Sequence, residues 1–327
     1  MDIIEELKKR RKVVDKKINS IFEDADRHPL WNSMSYYPKA GGKKLRPFLA
    51  MVSAGALGVK EEKAIPYGIA IELVHNFTLI HDDIMDDDEM RRGQETLHKK
   101  IGSAHAINAG DGLFALAFKI LSETDVPGES IRGLLDELSS SVIVVAEGQE
   151  EDMSFEETYD ITEKEFITMI EKKTSYLFKA ATKGGAIIAG ADVDEINHMS
   201  EYARKMGIAF QIQDDYLDLV GDQEEIGKDV GSDIRRGKRT LMVIHALHNL
   251  DEDKKNRLIE ILEEKDNSVD EIKEAMDLMI SVGSIDYAKE LAEKYGSEAK
   301  KELEILPDSE YKDILISLVD FMINRSK

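Results

Sequence analysis

Only six prolines (Pro29, Pro38, Pro47, Pro66, Pro127 and Pro307) punctuate this chain, and none falls between Pro127 and Pro307. Proline removes a backbone donor and clashes with the preceding turn, so its scarcity leaves long stretches in which a helix can run unbroken. Apolar residues recur at helical spacing through those stretches. Ile3, Leu7, Val14, Ile18 and Ile21 form one stripe over 2–22, and Tyr311, Ile314, Leu315, Leu318 and Met322 another over 309–325. The same pattern predicts helices near 45–57, 61–86, 103–124, 128–152, 162–181, 194–221, 239–249, 252–264, 269–281 and 284–304. "DADRHPLWNSMSYYPKAGGKKLRP", with its prolines, asparagine and paired glycines, reads as a loop leading into a helix from Leu45. No alternating strand pattern of useful length appears; the β-branched "SSVIVVAE" lies between helical neighbours. There is no repeat of fixed period, no low-complexity segment and no linker. The expectation is an all-α fold, one large helical bundle forming a single domain over 1–327.

Composition narrows the function. A hydrophobic content of 42% supports a real core beside 34% charged residues. The net charge of −22 argues against nucleic acid and against docking on anionic membranes, both of which need a basic footprint. With no cysteine, disulfides, thiolate nucleophiles and cysteine-ligated zinc are excluded, which suits a reducing cytosol. "MDIIEELKKRRKVV" lacks the apolar region of a signal peptide, and nowhere do eighteen apolar residues run together. The longest soft stretch, Pro47 to Val59, suits a buried core helix. A soluble, cytoplasmic protein is expected.

Against that background "HDDIMDDDEMRRG", His81 to Gly93, poses an electrostatic problem. Asp82 and Asp86 are four apart, so on a helix their carboxylates share a face and repel. "FQIQDDYLD" repeats the device with Asp214 and Asp218, and Asp215 beside them. Both clusters end long apolar helices, where the helix dipole itself disfavours negative charge. Such placements call for a cation, and hard oxygen ligands on facing helices point to Mg²⁺, which usually shares its shell with substrate phosphates. An EF-hand does not fit: its sixth-position glycine would be Asp87 or Arg91.

Cations that could hold such phosphates are nearby in sequence. "GGKKLRP" places Lys43, Lys44 and Arg46 at a glycine-loosened helix start, and Arg91 and Arg92 follow the first cluster. "EKKTSYLF" offers Lys173 and Thr174 on a helix, and the glycine-rich "GKDVGSDIRRGKRT" offers Lys228 and Lys238. His75, seven residues before Asp82, lies on its face about two turns, roughly 10 Å, away and can donate to a second phosphate. "GDQEEIGKD" fails as a P-loop, since its glycines are misspaced and Asp229 replaces Ser or Thr. HExxH, GxSxG and GxGxxG are absent, and His245 and His248 read as structural.

Taken in order, "GGKKLRP", "LVHNFTLIHDDIMDDDEMRRG", Gly110–Asp111, "GQEEDM", Lys173–Thr174, "FQIQDDYLDLVGD" and "GKDVGSDIRRGKRTL" resemble the trans-isoprenyl diphosphate synthases, specifically the archaeal-type geranylgeranyl diphosphate synthases. The likeness covers roughly residues 40–245, with Glu150–Glu151 where a more apolar pair is expected. It implies the isoprenoid synthase fold with a central active-site cavity, a homodimer, a place in isoprenoid and archaeal lipid biosynthesis, and about three Mg²⁺ per substrate-loaded site. By the same likeness Asp82, Asp83 and Asp86 bind metal on one side and Asp214 and Asp218 on the other, with Asp215 in support. Which carboxylate of Asp86 to Asp88 completes the first set stays open. Arg91, Lys173 and Lys228, assisted by Lys238, would hold an allylic diphosphate (dimethylallyl, geranyl or farnesyl). Lys43, Arg46, His75 and Arg92 would hold isopentenyl diphosphate, and Thr174 and Gln211 would line the path of a carbocation. Phe77, five before Asp82, would floor the cavity, with Thr78, Val74 and Ile71 on the same side, implying a geranylgeranyl product or a farnesyl/geranylgeranyl mixture. Terpene cyclases generally lack the "GGKxxRP" pattern, and non-catalytic partner subunits tend to lose their aspartates; this chain keeps both.

Overall fold

The computed structural model describes residues 2–156, 158–220, 231–264 and 267–324. Its helices, in chain order, are α1 (Ile3–Ile21), α2 (Pro29–Lys39), α3 (Leu45–Ala56), α4 (Ile65–Met85), α5 (Leu97–Ile101), α6 (Ser103–Ser122), α7 (Gly128–Phe155), α8 (Glu163–Ile170), α9 (Tyr176–Ala189) and α10 (Val193–Val220). They continue as α11 (Ser232–Arg235), α12 (Leu241–Asn249), α13 (Glu252–Glu263), α14 (Val269–Ser281), α15 (Ser284–Glu302) and α16 (Glu310–Ile323). The fold is all-α. Among the described residues the only sheet is a two-stranded hairpin, Met90–Arg91 against Gln94–Glu95. No helix among them is long and apolar enough to cross a membrane.

Two compact units of packing are discernible. The first comprises Met1–Val142, Leu177–Ser200 and Leu303–Ser317. Its core holds α3 and α4 side by side, and Gly68 permits the crossing, since a Cβ there would sit 2.8 Å from Pro47 Cα. Gly184 of α9 likewise leaves room for the fully buried ring of Tyr67, whose hydroxyl donates to Ala180 O at 3.0 Å. Asp2 caps α1 by accepting from Ile4 N (2.9 Å) and Glu5 N (3.3 Å), and Leu7, Val14 and Ile18 supply its buried stripe.

The second unit comprises Ile143–Tyr176, Glu201–Glu302 and Leu318–Lys327. Phe166, Met169, Ile208, Ile212, Leu241 and Ile261 belong to its core. Thr162 with Glu165, and Ser268 with Glu271, form reciprocal capping boxes that start α8 and α14.

Besides the hairpin and the short α5 and α11, which periodicity did not predict, two longer features differ from expectation. Residues 29–39, read as loop, are helical: Pro29 occupies the first turn, where its missing N–H costs nothing, His28 Nδ1 accepts from Leu30 N at 3.2 Å, and Pro38 falls in the last turn. The helix expected over 162–181 runs further, and Glu171–Ser175 within it is a π-turn.

Candidate active site

In the first unit, α4 delivers the first acidic cluster at its C-terminal end. Asp82 and Asp86 are half-buried one turn apart, with Asp86 N still donating to Asp82 O at 2.8 Å. Asp83 behaves differently. Its side chain is buried; Oδ2 accepts from the Tyr37 hydroxyl and Oδ1 from Arg91, whose Nε lies 2.8 Å away. Arg91 Nη2 also reaches Asp88 Oδ2 at 3.4 Å. Burial opposes the Arg91 charge, yet Asp83 and then Asp88 hold its pKa above the ordinary value. Burial and the bond to Asp83 push the Tyr37 phenol up, so it stays a donor. Asp87 turns outward with φ 52° and pairs with Lys99 at 2.7 Å.

The hairpin explains how Arg91 arrives there. Arg92 and Gly93 both have positive φ (54° and 73°), the backbone a two-residue hairpin turn requires, and Arg91 pairs with Gln94 in the ladder. Arg92 Nη1 donates to Gly41 O at 3.1 Å, and a Cβ on Gly42 would lie 3.0 Å from its guanidinium carbon.

Of the neighbouring lysines in "GGKKLRP", Lys43 is exposed whereas Lys44, at φ 51°, is buried and donates to Pro38 O (3.0 Å) and Glu72 Oε1 (3.2 Å). Arg46 lies over the Phe178 ring at 4.7 Å, and its buried Nε has no hydrogen-bond partner among the described residues. Burial pushes its pKa down to about 10, with Glu72 opposing and Arg92 reinforcing. His75 is lowered well below 6.5, first by burial and then by Arg46, Arg92, Lys44 and Arg91. The ring is neutral, and positive charge gathers around it.

On another part of α4, Phe77 is half-buried, edge-on to His81 (4.7 Å between centroids) and tilted against Phe114 of α6 (5.3 Å), which meets Phe118 at 5.0 Å. Val74 and Ile71 are fully buried, and half-buried Thr78 bonds back to His75 O at 2.9 Å.

The second unit carries the other cluster at the end of α10. Asp214 is exposed, and Asp215 is buried. Thr174 Oγ1 donates to Gln211 Oε1 at 2.8 Å, and Gln211 Nε2 donates to Asp215 Oδ1 at 2.8 Å. Burial, and next the charge of Asp233, raise the Asp215 pKa well above the carboxylate range, against the Gln211 hydrogen bond. Asp218 accepts from Ser232 Oγ (2.8 Å) and Asp233 N (3.0 Å), so it caps α11. Lys238 Nζ lies 3.9 Å from Asp233, and Lys228 falls outside the described residues.

Lys173 and Thr174 sit on the π-turn. Glycine lets two helices reach it: a Cβ on Gly148 of α7 would strike Lys173 N, and one on Gly207 of α10 would lie 2.6 Å from Ser175 Oγ. Lys173 pairs with Asp152, and Lys172 with Glu151, which gives the unexpected acidic pair of "GQEEDM" an electrostatic partner. Stacked on Tyr287, His245 bonds Ser284 Oγ at 2.9 Å; His248 bonds Ile244 O at 2.8 Å.

Thus Asp83, expected as a metal ligand, has both oxygens engaged by Tyr37 and Arg91, and among the described residues no three acidic or histidine side chains converge as a metal cage. Asp82 and Asp86 instead offer a partial oxygen shell, the donor set Mg²⁺ takes when waters and phosphates supply the rest. Sequence reasoning missed Tyr37, placed in a presumed loop, and Glu72, hidden in an apolar run; neither lies in a recognisable motif.

Comparison with known proteins finds relatives along nearly the whole chain. The family model described as Polyprenyl synthetase matches residues 28–279. A short chain isoprenyl diphosphate synthase of Methanothermobacter thermautotrophicus is 42% identical over 99% of both chains. A geranylgeranyl diphosphate synthase of Methanosarcina mazei is 40% identical, covering 99% of this chain and 98% of its own. The crystal structure of a geranylgeranyl pyrophosphate synthetase from Pyrococcus horikoshii superposes with a TM-score of 0.95 at 40% identity, over 99% of this chain and 98% of that one.

Proposed function

The chain belongs to the polyprenyl synthetase family, and from that premise we propose that it condenses isopentenyl diphosphate with dimethylallyl, geranyl and farnesyl diphosphates to give geranylgeranyl diphosphate. The observation that carries the substrate class is the positive charge around His75, of which the Arg46 Nε is left unanswered among the described residues. A half-buried Arg46 whose enclosed Nε has no hydrogen-bond partner among the described residues, near a histidine held neutral by burial and by the surrounding cations, is a site short of an anion. Isopentenyl diphosphate supplies it, gripped by Arg46, Arg92, His75 and the exposed Lys43. Arg91, Lys173, Lys228 and Lys238 grip the allylic diphosphate.

Asp82 and Asp86 in the first unit, and Asp214 in the second, are the residues to hold Mg²⁺, whereas both oxygens of Asp218 accept from Ser232 and Asp233. Of the run Asp86 to Asp88, Asp86 alone continues the helical hydrogen bonding of Asp82, while Asp87 turns out to Lys99 and Asp88 meets Arg91. Mg²⁺ held there would supply stabilisation of the charge on the departing pyrophosphate.

The C–O bond of the allylic diphosphate breaks, leaving an allylic cation and pyrophosphate. The terminal double bond of isopentenyl diphosphate attacks that cation, a C–C bond forms, and a proton passes to pyrophosphate. Asp215 binds the Gln211 amide N–H₂, which turns its carbonyl to the Thr174 hydroxyl. The Thr174 proton is thereby occupied, and its oxygen lone pairs remain as dipoles for the cation. The apolar run before each cluster keeps out water that would trap the cation.

Phe77, braced by Phe114, floors the growing chain. One catalytic domain over 1–327, a homodimer and a cytoplasmic location complete the proposal. The test is incubation with Mg²⁺, isopentenyl diphosphate and each primer, then chain-length analysis. Geranylgeranyl diphosphate as end product is expected, and no Mg²⁺-dependent condensation rejects the proposal.

A further inference from the structure

We propose that Tyr37 is a positioning residue for the allylic diphosphate: its hydroxyl fixes the Asp83 carboxylate, which in turn aims the Arg91 guanidinium. The phenol lies in the last turn of α2 and is 2% exposed. It donates to Asp83 Oδ2 and accepts from Leu97 N at 3.2 Å, so the start of α5 fixes the hydroxyl in turn. Asp83, 0% exposed, receives Arg91 Nε (2.8 Å) and Nη2 on its other oxygen. With one carboxylate oxygen held by the phenol, rotation of the carboxylate would strand a buried hydrogen-bond partner. The Nε–Nη2 edge of Arg91 therefore stays on Asp83, and Nη1, with no partner among the described residues, is the edge presented to a phosphate oxygen. Without the phenol, Asp83 and Arg91 could still pair, but in more than one orientation.

This inference rests on the proposed role of Arg91 toward the allylic diphosphate. The experiment is steady-state kinetics of Tyr37→Phe on the full chain with geranyl and isopentenyl diphosphates. The allylic KM is expected to rise about tenfold, with the isopentenyl KM within about twofold of wild type, as for one charge-assisted hydrogen bond acting through a neighbour. In an Asp83→Asn background the same substitution should add nothing further, because it acts through that carboxylate. Should the phenylalanine variant not fold, Tyr37→His, which retains a ring donor, takes its place. A smaller selective rise in allylic KM, absorbed by Asp83→Asn, then supports the proposal. Unchanged kinetics, an equal rise in both KM values, or full additivity with Asp83→Asn overturns it. A wild-type chain without condensation activity rejects the functional reading itself; an active wild type with an unaffected variant rejects only the role of Tyr37.

Discussion

The ends of α4 and α10 carry the same spacing of aspartates but place the middle one in opposite circumstances. Asp83 is buried against a guanidinium and a phenol, which between them occupy both of its oxygens. Asp215 is equally enclosed, but its direct partner is the neutral amide of Gln211, and burial with the facing charge of Asp233 favours its protonated form. The flanking residues also part ways. Asp82 and Asp86 flank the first, while Asp218 is committed to the N-terminus of α11. One sequence pattern thus carries an anchor for a guanidinium in one unit and a partner for an amide in the other, because the residues packed against each aspartate differ.

Four experiments can break or sharpen that contrast. Asp82→Ala and Asp214→Ala should each lower turnover on the order of 10³-fold with the fold intact by circular dichroism, as for loss of a preorganised transition-state contact. A loss at only one of them would reject a shared role. Asp83→Asn should lower allylic affinity by about 10²-fold and stability by about 2 kcal/mol, since Arg91 loses its charge partner. Asp215→Asn, which keeps an acceptor for Gln211, should stay within about threefold of wild type. Equal losses from the two asparagine variants, read by kinetics and denaturant melts, would erase the distinction.

Phe77→Ala should release longer prenyl diphosphates by chromatography of dephosphorylated products, and cost about 1–2 kcal/mol as a half-buried ring. The smallest effect concerns pH. The folded pKa of His75 lies below its unfolded 6.5. Above the unfolded value both states are neutral and His75 contributes nothing; as pH falls below it, only the unfolded chain takes up the proton and stability is lost. His75→Gln should therefore flatten the fall in melting temperature below about pH 6.5.

Much of the architecture was legible because long apolar stripes with few prolines admit little besides helices. α14 and the starts of α6 and α7 appear where periodicity placed them. α2 was hidden because Pro29, Asn32 and Pro38 look like breakers, although Pro29 sits in the first turn, where a helix tolerates it, and Pro38 comes just before the helix ends at Lys39. The candidate residues were legible as types in an ordered set; their division of labour was not. Nothing in "GGKKLRP" says that a left-handed backbone turns Lys44 inward to Glu72 while Lys43 stays outside. Nothing in either aspartate run reveals that a hairpin returns Arg91 to Asp83, or that Gln211 donates to Asp215, because these contacts come from how the side chains pack. The π-turn under Lys173 and Thr174 was equally silent, though Gly148 and Gly207, which make room for it, stand openly in the sequence.

The most direct test is a crystal structure of the chain with Mg²⁺ and a non-ionisable allylic thiodiphosphate. Metal density should lie against the carboxylates of Asp82 and Asp86, with Asp83 still bonded to Tyr37 and Arg91, and Arg91 Nη1 on a phosphate oxygen. Metal bound through Asp83, or diphosphate bound with neither aspartate cluster contributing, would contradict the account.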